Sequence, residues 1–296
     1  MCIRDRIAAF ANRAELAYAE PNYILTADAI ASDPSYSQLW GMPKIGVPAA
    51  WDISTGTRNL VVGVIDSGIL YTHPDLSANM WRAPSAFTVR VSGVTVNCPA
   101  GSYGFNAVNM TCNPLDDYGH GTHVAGTIGA AGNNGLGVVG VNWNASIMGL
   151  RFIDASGSGL LSNAIKCIEF AIQAKQYFAN TSTPANVRVL SNSWGGGGYS
   201  QAMFDQINSA SSNEMLFVAS AGNNGQNNDL YPFYPAGYTS SGVVSVAASD
   251  SNDALATFSN FGATTVDLAT GPRVLCFPYA EPCDEQQVWR SPRAKG

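Results

Sequence analysis

Three short polar clusters in this sequence carry side chains that could do covalent chemistry. Asp66 ends an apolar run at residues 60–65, His120 stands between two glycines, and Asn223 follows an Ala-Gly pair. Acyl transfer to water needs a nucleophile, a base that takes its proton, a carboxylate that orients the base, and donors for the oxyanion. Asp66 could orient the base, His120 could be that base, and the side-chain amide of Asn223 could donate to the oxyanion.

Each of these residues also has a plainer interpretation. Asp66 could cap a helix that follows the strand, and Asn223 could be a turn-forming residue with no chemical role. His120 and His123 could bind zinc together, but a zinc pair on a helix has the pattern His-Glu-x-x-His. Here the spacing is one residue shorter and no Glu stands between them, so we expect His123 to be a packed structural histidine.

Apolar strands alternate with helical patterns along the chain and would position these clusters. Strands that alternate with helices predict an α/β fold, in which a parallel sheet carries helices on both faces. Sites in such sheets form beyond the carboxyl ends of the strands. The predicted strands are residues 60–65, 146–151, 187–190, 215–219 and 243–247, and the predicted helices are residues 161–178 and 201–210.

Composition narrows the classes of protein to consider. The chain has 296 residues, of which 46% are hydrophobic and 12% charged, with a formal net charge of −6. This is typical of a globular protein and not of a disordered or coiled-coil chain. Because no Lys/Arg cluster occurs, nucleic acid is not an expected partner. Because no run of about 18 apolar residues occurs, we expect no membrane-spanning helix.

Taken together, the motifs resemble those of the subtilisin-like serine proteases, the subtilases of peptidase family S8. Residues 66–68 with 73–75 are similar to the family's Asp motif, and residues 120–127 are similar to its His motif. Residues 191–195 are similar to the strand that pairs with substrate, and residues 221–223 to the oxyanion motif. The order Asp before His, with Ser expected last, is the order found in subtilisin.

The resemblance implies a serine endopeptidase with a three-layer subtilisin-like fold whose C-terminal part is incomplete. It places Asp66 and His120 in the catalytic triad and Asn223 in the oxyanion hole. It further implies an extended polypeptide substrate, inhibition by the chain's own prodomain, secretion, and a monomeric state. The substrate-binding residues that it implies are Gly157, Ser158, Gly159, Ser193, Trp194 and Gly195.

A structural calcium site is also implied by the resemblance. Asp33, Asp75 and Asn134 match by position a calcium site that is common in the family. Calcium binds several oxygen ligands, many of them carbonyl groups of the backbone. The loop around Asn134 is one residue longer than in the best-known members, and the plainer interpretation of these residues is a solvated Asx turn.

The cysteines fall into separate groups. Cys98 and Cys112 flank a loop rich in Gly, Asn and Pro, and they form either a disulfide or two free thiols. We expect the disulfide, which would indicate an oxidising compartment. Cys167 lies in a helical pattern and is expected to be buried and unpaired.

The nucleophile expected of the family is not found among the printed residues. After Ala269 the family continues to a Gly-Thr-Ser-Met segment that carries the catalytic Ser, whereas no Gly-Thr-Ser follows Ala269 here. Ser291 stands between Arg290 and Pro292 and lacks that context. We therefore expect the chain as printed to be inactive. We also expect the sheet surface near Val64 and Val218 to be exposed, because the Ser-bearing helix would otherwise cover it.

The domain boundaries follow from where the resemblance holds. We interpret residues 1–6 as a non-native leader, 7–30 as a remnant of the inhibitory prodomain, and 31–269 as the incomplete peptidase domain. Residues 270–296 are interpreted as an aberrant tail produced by a frameshift. Moving the codons of residues 283–289 by one base permits Ala-Thr-Asn-Asn-Lys-Tyr-Gly, which resembles the family's sequence shortly before its Ser.

Two other classes of function remain as alternatives. A non-catalytic binding protein with a subtilisin fold would truly lack the Ser, but the presence of both Asp66 and His120 argues against it. A nucleotide-binding α/β domain would need a glycine-rich phosphate loop after the first strand. Residues 66–70 are Asp-Ser-Gly-Ile-Leu, which is not such a loop.

Overall fold

The computed structural model describes residues 30–270, which fold around a seven-stranded parallel sheet. The strands of this sheet lie in the order β4-β5-β1-β6-β7-β8-β9, and all neighbouring pairs are parallel. A separate antiparallel hairpin consists of β2 and β3. The strands are β1 (Gly56–Asp66), β2 (Phe87–Val91), β3 (Val94–Cys98), β4 (Gly104–Asn106), β5 (Asn144–Arg151), β6 (Val187–Asn192), β7 (Leu216–Ser220), β8 (Val243–Ala248) and β9 (Leu268–Thr270).

Helices connect the strands and include both helices that the sequence pattern predicts. All five predicted strands are confirmed and correspond to β1, β5, β6, β7 and β8, although β7 begins and ends one residue later than predicted. Between residues 30 and 270, no helix has the length and apolar character needed to cross a membrane. The helices are α1 (Gly41–Lys44), α2 (Val47–Trp51), α3 (His120–Gly129), α4 (Leu161–Tyr177) and α5 (Gln201–Ser212).

Alternating side chains of β1 separate the two helical layers that cover the sheet. Ile65 belongs to the large core cluster that also contains the buried faces of α4 and α5. Val64, its neighbour, points to the opposite side and packs with Val124 and Ala125 of α3. Successive residues of a strand face opposite sides, so the sheet lies between helices and the predicted three-layer α/β architecture is confirmed.

The expectation that Val64 is exposed is wrong. Val64 has no exposed surface, because α3 covers this face of the sheet at β1 and β5. Val218 on β7 is partly exposed, and on the same face Leu216 and Leu268 are 48% and 50% exposed. Within the described residues, the less covered part of this face therefore lies toward β7, β8 and β9.

Candidate active site

The carboxyl end of β1 places Asp66 in the interior of the protein. Asp66 is the last residue of the strand, and its side chain is fully buried. Its Oδ1 atom accepts a hydrogen bond from the backbone N–H of Ser67 at 2.7 Å. A buried carboxylate needs such donors because water does not solvate it. Among the contacts of residues 30–270, this carboxylate also meets the ring of His120.

His120 begins helix α3 directly beside Asp66. The Nδ1 atom of His120 lies 2.8 Å from Oδ1 and 3.0 Å from Oδ2 of Asp66. When Asp66 is ionised it only accepts hydrogen bonds, so Nδ1 is the donor, and in the neutral imidazole Nε2 then keeps the lone pair. The side chain of His120 is 25% exposed, whereas that of Asp66 is 0% exposed. The pair is therefore an imidazole base that is held from within by a buried carboxylate and can be reached from solvent.

Glycines allow the loop after Asp66 and the first turn of α3 to touch. A Cβ atom at Gly121 would overlap the carbonyl oxygen of Gly68 and would lie 3.1 Å from Cβ of Asp66. Gly68 itself has φ of 110°, a conformation that favours glycine. The backbone N–H of Gly121 donates to Oγ of Ser67 at 2.9 Å. These contacts explain the glycines at positions 68 and 121.

Asn223 follows β7 at the same edge of the sheet. Strands β1, β6 and β7 are neighbours, and their parallel direction brings their carboxyl ends together. Asn223 is exposed, and the preceding Gly222 has φ of 112°. The structure therefore places Asp66 and Asn223 at one edge of the sheet, with the end of β6 between them.

Two buried asparagines, which the sequence analysis missed, support the turn that carries Asn223. Oδ1 of Asn260 accepts the backbone N–H of Asn224 at 2.8 Å, and Nδ2 of Asn260 donates to Oδ1 of Asn228 at 3.0 Å. Nδ2 of Asn228 in turn donates to the carbonyl oxygen of Ala221 at 2.8 Å. The only sequence signal is an Asn in a turn-rich segment, which is equally typical of ordinary surface turns.

The substrate-binding residues implied by the sequence lie on two segments that flank the end of β1. One segment follows β5 and the other follows β6, and these two strands pair with β1 on opposite sides. The indole N–H of Trp194 donates to the carbonyl oxygen of Ile65 at 2.8 Å, which fixes the second segment to β1. The segments are Gly157, Ser158 and Gly159 after β5, and Ser193, Trp194 and Gly195 after β6.

The ring of Phe233 fills the space between the β6 segment and the turn of Asn223. A Cβ atom at Gly195 would overlap this ring, and a Cβ atom at Gly222 would lie 3.0 Å from its Cδ1 atom. Both glycines therefore bring their backbone directly against the aromatic side chain.

Asp33, Asp75 and Asn134 lie together, away from the Asp66–His120 pair. The carboxylate of Asp33 accepts the backbone N–H groups of Asn133 and Asn134, at 2.8 and 3.1 Å. Oδ1 of Asp75 accepts the side-chain amide of Asn134 at 2.7 Å, and Oδ2 accepts the N–H of Val138 at 2.9 Å. Burial raises the pKa of Asp75, and the negative charge of Asp33 adds to this effect.

The two nearby carboxylates are hard oxygen donors of the kind that suits Ca²⁺. The side chain of Asn134 directs its amide N–H toward Asp75, and its Oδ1 accepts the N–H of Leu136. From Ile30 to Thr270 there is no group of three or more His, Cys, Asp or Glu side chains that could hold a metal ion. A cation here would therefore depend on the amide and backbone oxygens of the loop as well as on the two carboxylates.

Cys98 and Cys112 are joined in the structure, and Cys167 is not paired. The Cα atoms of Cys98 and Cys112 are 5.4 Å apart, which is within the usual range for a disulfide. Their bond links the end of β3 to the loop before α3. Cys167 is buried in α4, and burial raises the pKa of its thiol well above the usual range. Cys2, Cys276 and Cys283 lie outside the described residues.

Comparisons with known proteins identify the family of the chain. A sequence model described as the subtilase family matches residues 57–279. The thermophilic serine proteinase of Bacillus sp. (strain AK1) is 32% identical over 263 residues, covering 88% of this chain and 56% of the relative. Thermitase of Thermoactinomyces vulgaris is 32% identical over 239 residues, covering 80% of this chain and 72% of the relative.

A solved structure is similar as well. A protease from Pseudoalteromonas arctica superimposes with a TM-score of 0.65 at 28% identity, over 82% of this chain and 72% of that chain. The chain thus spans a little more than half the length of the AK1 proteinase and about three quarters of the other two proteins.

Proposed function

The chain belongs to the subtilase family, and from this we propose that it is part of a serine endopeptidase in which Asp66 and His120 activate a nucleophilic Ser. The observation that carries the proposal is the contact between Nδ1 of His120 and the buried carboxylate of Asp66 at 2.8 Å. That contact leaves the lone pair on Nε2, and Nε2 would accept the proton of the Ser hydroxyl. The carboxylate would stabilise the imidazolium that forms.

Asn223 would supply the side-chain donor for the oxyanion that develops on the substrate. Its position at the carboxyl end of β7, next to a glycine with positive φ, supports this role. The buried asparagines Asn228 and Asn260 support its turn from beneath. A donor that is already fixed in place costs no reorganisation when charge develops, and this makes such groups effective in catalysis.

The substrate we propose is an extended polypeptide that lies between the two segments flanking the end of β1. Gly157, Ser158 and Gly159 would form one side of the channel, and Ser193, Trp194 and Gly195 the other. The contact between Trp194 and Ile65 supports this proposal because it holds the second segment next to the strand that carries Asp66.

The nucleophile is the part of this proposal that the printed residues do not supply. We propose that residues 270–296 are the product of a frameshift and that the true reading frame continues to the Gly-Thr-Ser-Met segment of the family. Sequencing the source DNA from the codon of Leu268 onward tests this directly. An intact frame with no Gly-Thr-Ser in either alternative frame would reject the frameshift.

The function itself can be tested with a chain in which the reading frame is repaired after Ala269, called here the repaired chain. We expect the repaired chain to hydrolyse casein or a peptide amide and to be blocked by a serine-directed phosphonyl fluoride. The printed chain is expected to do neither, since in the relative subtilisin the loss of the nucleophile costs about 2 × 10⁶-fold in kcat.

A non-catalytic binding protein with the same fold is the second candidate, and the absence of a Gly-Thr-Ser segment after Ala269 is the observation that favours it. The repaired chain separates the two candidates. A repaired chain that folds and binds extended peptides but neither cleaves them nor reacts with the phosphonyl fluoride would support the binding protein.

We further propose that the family's calcium site is present at Asp33, Asp75 and Asn134. The hydrogen bonds from the backbone and side-chain N–H groups of Asn134 to the two carboxylates support the proposal, because they hold the three residues together. A cation there would neutralise the two buried acidic groups and tie residue 33 to the loop at residues 133–138.

The remaining proposals concern the biology of the whole protein. An extracellular location is supported by the disulfide of Cys98 and Cys112, which needs an oxidising compartment. Inhibition by a prodomain that ends within residues 7–30 and a monomeric state are proposed from the family alone. Residues 7–29 lie outside the described residues.

A further inference from the structure

The first turn of helix α3 takes its capping partners from outside the helix. Its N-cap residue is Gly119, which has no side chain to accept the backbone N–H groups of the first turn. Such groups need acceptors because they have no partner within the helix. Ser67 accepts the N–H of Gly121 at 2.9 Å, and the N–H of Thr122 is taken by the carboxylate of Asp116.

Asp116 binds both the first turn of α3 and the loop that leads into it. Its Oδ2 atom accepts the backbone N–H of Thr122 at 3.0 Å and the hydroxyl of Thr122 at 2.5 Å. Its Oδ1 atom accepts the N–H groups of Tyr118 and Gly119, at 3.0 and 2.9 Å. A carboxylate at the amino end of a helix also interacts favourably with the helix dipole. One side chain therefore fixes the backbone on both sides of His120.

The same network reaches the loop that follows Asp66. Thr122 is buried, and its Oγ1 atom accepts the backbone N–H of Leu70 at 2.9 Å. The backbone N–H of Ile69 donates to the carbonyl oxygen of Pro114 at 2.8 Å, two residues before Asp116. The loop after the orienting carboxylate and the helix that carries the base are thus joined through Asp116 and Thr122.

Close packing makes the distance between Asp66 and His120 sensitive to this network. A Cβ atom at Gly68 would lie 3.0 Å from the backbone nitrogen and Cα of Asp116. Gly121 is in similarly tight contact with Gly68. Because close-packed backbone segments have no free space, a shift of the loop around Asp116 moves the first turn of α3 relative to β1.

We propose that Asp116 is a positioning residue for His120, holding the imidazole against the carboxylate of Asp66. The inference rests on the proposed role of His120 as the base. Asp117, the next residue, offers a matched control, because its carboxylate pairs with Arg151 of β5 at 2.7 Å and has no bond to α3 among the described contacts.

Nitrogen-15 NMR of the imidazoles in the full printed chain tests the proposal without any need for activity. The chain has only three histidines, so each ring can be assigned from a single His→Gln variant. We expect the Nδ1–H of His120 to give a low-field signal that exchanges slowly with water. Asp66→Ala should abolish that signal, since it removes the acceptor.

Asp116→Ala should make the Nδ1–H of His120 exchange about tenfold faster or more, because it removes charge-assisted hydrogen bonds that hold the helix start. Asp117→Ala should leave the exchange rate unchanged. Thr122→Val should act like Asp116→Ala, whereas Thr122→Ser keeps the hydroxyl and should preserve the signal. Unchanged signals of His73 and His123 would show that each variant is folded.

The outcomes separate this inference from the proposed function. If Asp66→Ala abolishes the signal while folded Asp116→Ala and Thr122→Val leave its exchange unchanged, Asp116 does not position His120 although the pair exists. If Asp116→Ala fails to fold, the comparison of Thr122→Val with Thr122→Ser decides. A low-field signal that survives Asp66→Ala would contradict both the pair and its positioning.

Discussion

Asp66 and His120 differ in exposure because one ends a central strand and the other begins a helix at the surface. The carboxylate has no exposed surface, whereas a quarter of the imidazole is exposed. A charge acts more strongly on its neighbour where water is excluded. The buried carboxylate therefore controls the orientation of the ring, while part of the ring stays accessible to solvent.

At the scale of single residues, the sequence indicated candidates for the chemical roles but not the residues that hold those candidates in place. Asp66, His120 and Asn223 were selected because acyl transfer needs a carboxylate, a base and an oxyanion donor, and the structure places Asp66 in contact with His120. Asn228 and Asn260 were not, since they meet across 32 positions of sequence and have no distinctive local pattern. Likewise, nothing in the sequence around Phe233 indicated that its ring lies against Gly195 and Gly222.

Phe233 should limit the size of the substrate side chain next to the cleaved bond. If the proposed substrate binds with its carbonyl at Asn223, we expect that side chain to approach Gly195 and Gly222, which the ring of Phe233 contacts. In the repaired chain, Phe233→Gly should raise kcat/KM for a peptide with a large residue there by about 10-fold or more, relative to its alanine analogue. Peptide-amide kinetics with both substrates measure this ratio, and an unchanged ratio would show that Phe233 does not restrict the substrate.

At the scale of elements, the strands of the parallel sheet were predictable because they are short apolar runs bounded by polar residues. The hairpin of β2 and β3 was missed, although its burial alternates along Phe87–Val91 and a two-residue Ser92-Gly93 turn joins its strands. Both turn residues have positive φ, as hairpin turns of this kind require. The short strands β4 and β9 have only three residues each, too few for a period to be seen.

The disulfide of Cys98 and Cys112 should stabilise the link between this hairpin and the loop before α3. It closes a loop with a sequence separation of 14 residues, for which restriction of the unfolded chain predicts about 3 kcal/mol. The double variant Cys98→Ser/Cys112→Ser should lose about this free energy of unfolding in urea under non-reducing conditions. Adding a reductant should bring the wild-type chain to the same stability. Non-reduced peptide mapping that finds both thiols free would reject the bond.

Asp229 should make the packing of residues 263–265 sensitive to acid. Its carboxylate accepts hydrogen bonds from the hydroxyls of Thr265 and Thr264 and from nearby backbone N–H groups. These bonds, that of Thr265 first, lower the pKa of Asp229 from 3.8 to about 2. A lowered carboxyl pKa means that the stabilisation is complete above the unfolded value near pH 4 and is lost as the pH falls toward 2.

The comparison of Asp229→Asn with the wild-type chain isolates this effect. The variant should have a lower urea midpoint than the wild type at pH 5, and the difference should shrink by pH 2.5. Asp205→Asn is the matched control and should show no such trend. Asp205 is exposed on α5, and among the described bonds its carboxylate contacts only the side chain of Gln201. A difference that stayed constant between the two pH values would contradict the role of Asp229.

At the scale of the whole molecule, the sequence predicted the three layers but not which parts of the sheet the helices bury. The pattern of strands and helices was sufficient to predict three layers. It was not sufficient to show that α3 buries Val64, because residues 120–127 were considered for the chemistry of His120 and not for an apolar helical face. The more exposed region around Leu216 and Leu268 depends on how distant segments pack, which local periodicity does not specify.

Calcium should stabilise the whole fold, because the proposed site ties residue 33 to the loop at residues 133–138. At a Ca²⁺ concentration about 100-fold above its Kd, the gain in unfolding free energy is about 2.7 kcal/mol. Thermal unfolding should shift upward with Ca²⁺ and much less with Mg²⁺, which prefers a smaller octahedral site. Asp33→Asn should remove most of the shift and Asp154→Asn, in a loop elsewhere, should keep it. An equal shift in Asp33→Asn would place any calcium at a different site.

The central claim is that His120, held by Asp66, activates a Ser that follows Ala269 in the true reading frame. The most direct measurement is the rate at which a phosphonyl fluoride labels that Ser in the repaired chain, in its His120→Ala variant and in its His123→Ala variant. We predict that His120→Ala abolishes both labelling and peptide hydrolysis, because the Ser loses its base. His123→Ala, which changes an imidazole on the same helix, should leave labelling largely intact. Labelling at the full rate in a folded His120→Ala chain would contradict the account.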